Sequence, residues 1–240
     1  MKTVLITGAT SGIGKALCSL YQQLGWQVFA CGRNQDSLNE LQQLSGVTGL
    51  NFDICDKQKI QESTADLSEL DLVILNAGSC EYIDDPMKFD SALFERVVRT
   101  NLIAVGYCLE VLIPKIKVGG QLALMSSSAS YLPFPRAEAY GASKAAVSYL
   151  AKSLSVDLAP HNISVSLINP GFVKTPLTDK NNFAMAMLIS AEQAATYIEK
   201  GLSRRKHEIH FPPLFTYLLK FFAWLPDTIW RYFAIRMLQK

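Results

Sequence analysis

The sequence predicts an α/β fold: a doubly wound parallel sheet with helices on both faces, followed by a helical extension at the C-terminus. Three observations carry this expectation. Short runs rich in β-branched residues alternate with amphipathic segments of helix length from the first residue onward. Alternation at this spacing implies right-handed crossovers and parallel strands. A glycine cluster, Gly8, Gly12 and Gly14, follows the first β-branched run and opens the first helical segment. The composition, 49% hydrophobic and 18% charged over 240 residues, is globular and supplies a large core.

In chain order, strands are expected at "TVLI" (3–6), "QVFAC" (27–31), "VTGLNF" (47–52), "DLVILN" (71–76), "GQLALMS" (120–126) and "ISVSLIN" (163–169). Amphipathic patterns between them predict helices at 12–24, 35–44, 57–69, 89–117 and 139–159. Asp56 is placed to cap the third helix. No repeat, low-complexity tract or Pro/Ser-rich linker interrupts residues 1–200, which read as one domain. Residues 201–240 read as a final strand and an amphipathic helical extension of that domain.

Several function classes are disfavoured. The net charge is +2, and no basic run is interleaved with aromatics, so nucleic acid is not an expected partner. The five cysteines are scattered and the three histidines sit near none of them, which suits a reducing compartment and predicts no metal site. The start carries an apolar run of only about four residues, unlike a signal peptide. No window reaches the roughly 18 continuous apolar residues of a spanning helix. The cytoplasm is the expected location.

"ITGATSGIGKAL" (6–17) lies between a strand and a helix. Glycines there permit a tight turn and close approach of backbone to a pyrophosphate, whose charge then meets helix-terminal N–H groups. Thr7–Gly14, read as T-G-x-x-x-G-I-G, resembles the cofactor motif of the short-chain dehydrogenase/reductase family. "NAG" (76–78), Asn101, the serine cluster "MSSSAS" (125–130), "YGASK" (140–144) and "NPGFVKT" (169–175) follow in the family's order. The resemblance spans roughly residues 3–200. It implies a Rossmann-type dinucleotide-binding sheet and hydride transfer between a nicotinamide and a small-molecule carbonyl or secondary alcohol. It also implies a homodimer or homotetramer through the helices at 89–117 and 139–159.

Tyr140 and Lys144 are four residues apart, so on a helix both project from one face. A free tyrosine has a pKa near 10 and is a weak acid at neutral pH. Lowering it by about 3 units requires about 4 kcal/mol, beyond an exposed ammonium but within reach of a partly buried one aided by an oxidised nicotinamide. Tyr140 is therefore the expected proton donor and acceptor. By resemblance, Lys144 also bonds the nicotinamide ribose, Ser127 holds the substrate oxygen, and Asn101 helps hold a water that links Lys144 to solvent. Ser128 is one residue from Ser127 and would face oppositely along a strand. Ser130 stands where the family usually carries a glycine.

The resemblance assigns cofactor contacts to Gly8, Thr10, Ser11, Gly12, Ile13 and Gly14 in the first turn, and to Asp53 and Ile54 after the third strand. Asp53 is either an adenine contact or a simple loop acid. Asn76, Ala77 and Gly78 approach the cofactor's centre, and Pro170, Gly171, Val173 and Thr175 wrap its nicotinamide end. NAD-preferring sites carry an acid at the end of the second strand; here Gly32 and then Arg33 occupy that position. A guanidinium suits a 2′-phosphate through paired, charge-assisted bonds, with Asn34 in support, so the expected cofactor is NADP(H). The bland alternative for Arg33 is a solvated loop residue. Phe183, Met185, Met187 and Leu188 form either an apolar substrate lid or ordinary core.

The tail beyond Gly201 holds seven basic residues against two acids. Residues 214–225 and 227–238 read as two helices broken by Pro226, with Asp227 as the second N-cap. Both are aromatic, and Lys220, Arg231, Arg236 and Lys240 interrupt them. Such a pair either lies in a membrane interface or packs within a protein assembly. The expected activity is NADP(H)-dependent reduction of an apolar carbonyl. The alternatives are a silent dinucleotide sensor or scaffold and a membrane-associated lipid-ketone reductase.

Overall fold

The computed structural model describes residues 1–181 and 183–238. Seven parallel strands lie side by side in the order β3-β2-β1-β4-β5-β6-β7. They are β1 Thr3–Thr7, β2 Gln27–Gly32, β3 Val47–Asn51, β4 Leu70–Leu75, β5 Ile116–Met125, β6 Ser164–Pro170 and β7 Glu208–Phe211. The crossover helices are α1 Gly12–Gln23, α2 Gln35–Gln42, α3 Lys57–Thr64, α4 Ser91–Val98, α5 Ala104–Leu112, α6 Glu138–Asp157 and α7 Ala191–Ser203. Two further helices, α8 Pro213–Trp224 and α9 Asp227–Met237, follow the last strand.

Strand alternation divides the core between the two faces of the sheet. Val4 and Ile6 face α1 and α7, meeting Leu17, Tyr21, Ala194 and Ile198. Leu5 faces the other way, into a layer with Val105 and Leu109 of α5 and Val147 and Ala151 of α6. Polar caps start several helices: Asn34 accepts from Ser37 N, Asp56 from Lys59 N, and Ser190 with Gln193 forms a reciprocal capping box.

Three expected boundaries shift. The segment expected as a helix over 89–117 is helical from Ser91 to Lys115, with a π-helical turn, Arg99–Ile103, between α4 and α5. Its last residues are strand: Pro114 stops the helix, and Ile116 pairs with Leu70 at the start of β5. The helix expected over 57–69 closes at Thr64, whose hydroxyl bonds back to Ile60 O. Asp227 is the first residue of α9 rather than its cap. Pro226, held extended, occupies the capping position, leaving the Asp227 carboxylate in the first turn where the helix dipole favours it.

By length and composition, the helical run Ser91–Lys115, with mean hydropathy 1.4, is sufficient to cross a bilayer. It instead carries a π turn and packs inward through Val97, Val105, Leu109 and Leu112. The tail packs on its own chain. Leu219 and Trp230 are buried against Leu132, with Phe215, Phe222 and Phe134 around them. Trp230 Nε1 donates to Pro133 O at 2.8 Å. Lys220 pairs with Glu208 at 2.7 Å. Lys240 lies outside the described residues.

Packing sets opposite expectations for two glycines. A methyl group on Gly14 would lie 2.1 Å from Gly8 O, whereas one on Gly106, inside α5, meets nothing within 4 Å. Gly14→Ala is expected to destabilise by about 1–3 kcal/mol, and Gly106→Ala to stabilise by about 1 kcal/mol; denaturant unfolding of both variants checks the pair.

Candidate active site

Crossovers run outward from β1 to β3 and then return to β4, so β1 and β4 flank the point where the winding reverses. A crevice opens there beyond the strands' carboxyl ends. Thr7 and Asn76 hold its two walls together. Thr7 Oγ1 accepts from Asn76 N and Ala77 N, at 3.0 and 3.1 Å, while Asn76 Nδ2 donates to Thr7 O at 2.9 Å. Gly8 and Gly12 turn the chain with φ of +66° and +50°. The cap position of α1, Ser11, makes no side-chain bond, and no acid occupies the helix's first turn.

Tyr140 and Lys144 stand one turn apart on α6, and Lys144 Nζ lies 5.9 Å from the centroid of the Tyr140 ring. Lys144 is only 4% exposed and donates to Met125 O at 2.9 Å. Burial pushes its pKa down to about 8 from an ordinary 10.5, with Cys80 acting weakly the other way. Burial raises the Tyr140 pKa, Cys80 adds to this, and a hydrogen bond with Ser127 offsets only part.

Ser127, not Ser128, meets Tyr140. Ser126 turns away and donates to Lys144 O at 2.7 Å. A 3-10 turn, Ser128–Ser130, follows; Ser127 Oγ accepts from Ala129 N, and Ser130 Oγ donates to Ser127 O. Ser130 has no positive φ, so this turn has no need of the family's glycine. Asn101 is fully buried in the π turn. Its amide donates to Ser79 O and Ser143 Oγ, and its Oδ1 accepts from Ser79 N. A methyl group on Gly78 would lie 3.1 Å from Asn101 Oδ1 and 3.2 Å from Lys144 Nζ, so both groups converge on that glycine.

Two cavities meet at Ser127 and Tyr140. The first, about 530 Å³, is lined by Gly8, Thr10, Ser11, Gly12, Ile13, Arg33, Asn34, Asp53, Ile54, Asn76, Ala77, Gly78, Lys144, Pro170, Gly171, Val173 and Thr175. Gly14 does not line it, because it packs beneath the turn against Gly8 O. Arg33 Nη1 reaches Asp53 Oδ2 at 3.3 Å, while Asp53 Oδ1 accepts from Cys55 N. Asn34 Oδ1 is engaged as the cap of α2. The second cavity, about 350 Å³, is walled by Tyr82, Phe134, Phe172, Phe183 and Phe215. Met187 and Leu188, expected in an apolar lid, are exposed, and of the four lid candidates only Phe183 lines this cavity.

Sequence reasoning missed Ser79, Thr100 and Thr178 in the first cavity. Thr178 carried a legible signal: its hydroxyl, three residues after Thr175, closes a local turn by donating to Val173 O at 2.7 Å.

The first cavity fits a dinucleotide. The N–H groups of α1's first turn are uncapped at its floor, and Ser79 Oγ is buried without a partner among the described residues. A family model described as short chain dehydrogenase matches residues 2–186. The chain belongs to the short-chain dehydrogenase/reductase family. An uncharacterized oxidoreductase of Myxococcus xanthus is 34% identical over 225 residues, covering 88% of this chain and 87% of that protein. A 3-oxoacyl-acyl-carrier-protein reductase of Rickettsia conorii is 34% identical over 189 residues, covering 75% and 76%. Among solved structures, the closed form of serine dehydrogenase with NADP+ matches with a TM-score of 0.80 at 24% identity, covering 88% of this chain and 95% of that one. A Burkholderia phymatum family member in complex with NAD gives 0.81 at 21%, covering 91% and 92%. These two bind different nicotinamide dinucleotides, and at such identities they attest the fold alone. The protein is an oxidoreductase acting on CH–OH groups of small-molecule donors, with a nicotinamide dinucleotide as cofactor.

A buried ammonium has an energetic signature. The folded protein binds fewer protons at Lys144 than the unfolded chain does, so its stability rises with pH between about 8 and 10.5. Below that window the charge costs about 3 kcal/mol, partly offset by the bond to Met125. Lys144→Met is expected to be inactive yet more stable than wild type at neutral pH by about 1 kcal/mol, a gap that narrows as pH passes through that window. Thermal unfolding of both proteins across the range checks it.

Proposed function

We propose that the protein is an NADP(H)-dependent reductase of apolar carbonyl compounds, running in reverse as a secondary-alcohol dehydrogenase. The observation that carries this reading is the position of Tyr140 and Ser127 at the junction of two unlike cavities. One cavity has polar groups and helix N–H groups fit for a dinucleotide. The other has aromatic walls fit for an apolar ketone. When bound, reduced nicotinamide supplies a hydride to the carbonyl carbon.

This chain's residues do the rest. Ser127 donates a hydrogen bond to the substrate oxygen and stabilises charge as it develops. Tyr140, neutral because burial raises its pKa, delivers its proton to that oxygen, which becomes a far stronger base than phenolate as the hydride arrives. The Lys144 ammonium then stabilises the phenolate until solvent reprotonates it. Asn101 is a positioning residue, holding the backbone at Ser79 beside Lys144.

The choice of NADP(H) rests on the end of β2. Position 32 is glycine and so offers no acid to grip a ribose 2′-OH, and a side chain there would meet Thr10, its first carbon 2.5 Å from Thr10 Cγ2. Arg33 next to it is 78% exposed at the cavity. Exchange of its ion pair with Asp53 for a 2′-phosphate replaces a single contact with paired, charge-assisted bonds. The exposed apolar residues Ile103, in the π turn before α5, and Tyr149 and Val156 of α6 support a homo-oligomeric contact along these two segments.

NADPH oxidation against a panel of ketones, aldehydes, quinones and 3-oxoacyl thioesters tests the activity. Tight NADPH binding without turnover of any of them would favour a silent sensor instead. Tyr140→Phe is expected to lower kcat by about 1,000-fold with the NADPH Kd within about twofold; equal loss of both would assign the phenol to binding. Arg33→Ala is expected to weaken NADPH by about tenfold or more while leaving NADH nearly unchanged. Titration with each nucleotide decides it.

A further inference from the structure

We propose that the outer face of α8 and α9 docks on an anionic lipid bilayer, and that the aromatic-walled cavity takes a long-chain ketone or its alcohol from that surface. The substrate clause rests on the carbonyl-reduction reading; the docking does not.

On α8, Leu214, Tyr217, Leu218, Phe221 and Trp224 recur at helical spacing and are all exposed, Trp224 at 82%. The other side of the same helix is already packed, through Leu219 and Phe222. A helix apolar on both sides needs a cover on both. Neither helix spans a bilayer, since the 12 residues of α8 measure about 18 Å against a core of about 30 Å. Lying flat places their apolar face at headgroup depth, where tryptophan and tyrosine are favoured.

Charge selects the occupant. Asp227 is the only acid in residues 213–238, against Lys220, Arg231 and Arg236. Lys220 is engaged by Glu208. Arg231 and Arg236 are exposed and form no salt bridge among the described residues; Arg236 stacks over the exposed Tyr232 ring at 4.0 Å. A two-fold contact between copies of this face sets these cations against their own kind, whereas an anionic membrane surface attracts each of them. The cavity reaches the end of the same helical pair. Phe215 walls it from within, while Met237 and Leu238, at the end of α9, both line it and are exposed.

The test compares the full-length protein with a Leu218→Glu, Phe221→Glu, Trp224→Glu triple variant, none of whose positions lines either cavity. Wild type is expected to co-float with vesicles of phosphatidylcholine containing about one-third phosphatidylglycerol, about tenfold more than with phosphatidylcholine alone. The triple variant is expected to lose about tenfold of that binding while its thermal midpoint and its NADPH turnover of a water-soluble ketone are unchanged. With a long-chain 2-alkanone dissolved in the anionic vesicles, wild type is expected to turn over about tenfold faster than the variant. No flotation of wild type, or equal flotation of the variant, overturns the docking. A wild type that does not float but sediments as a larger species than the variant also overturns it, in favour of a second copy on this face. Equal rates on the vesicle-borne ketone overturn the substrate clause. Flotation without turnover of any ketone overturns that clause together with the activity it rests on, and supports the docking.

Discussion

The crevice exists because the ends of β1 and β4 are fastened to each other. Thr7 offers one hydroxyl to two successive backbone N–H groups, at Asn76 and Ala77, and Asn76 returns an amide bond to the Thr7 carbonyl. β1 and β4 are paired through Val4, Leu5 and Ile6, and beyond the end of that ladder these side-chain bonds continue the join. Gly14 sits under this fastening, close to both Gly8 O and Asn76 Nδ2. Turn, strand end and helix start therefore form one packed unit, and the cavity above inherits its shape.

The site above that unit sets two buried groups against their preferences. Lys144 sits in a place that favours its neutral form, and Tyr140 in one that favours its phenol. Desolvation drives both, and it makes each group responsive to charge brought in from outside, because the low local dielectric that penalises them also strengthens whatever interaction arrives. Such a site is stabilised by the packed sheet beneath it rather than by its own contacts.

Much of this was legible locally. The order of strands and helices follows from periodicity, and the residues assigned to a dinucleotide line one cavity because most lie in the turns that follow the strands' carboxyl ends, with Tyr140 and Lys144 brought in by α6. Gly14 is the exception. Sequence shows a glycine's freedom but not the carbonyl above it. The direction of the Tyr140 shift was not legible either, since it depends on burial that only tertiary packing creates. The second cavity joins Tyr82, Phe134, Phe172, Phe183 and Phe215, residues far apart in the chain with no motif between them. The strand start at Ile116 was hidden because an apolar run reads equally as helix or buried strand.

The π turn at Arg99–Ile103 has one more consequence. It places an additional residue in a helix that would otherwise run straight, so everything after it is rotated by roughly a quarter turn. That rotation lets α4 lie along α6 while α5 lies against α3 and β4. It also creates a buried position where an asparagine amide can serve the backbone of another segment. The spacing between residues 91 and 112 is therefore an indexing device: shortening it by one residue would undo the rotation, swing Asn101 off Ser79 and present the wrong flank of α5 to the sheet.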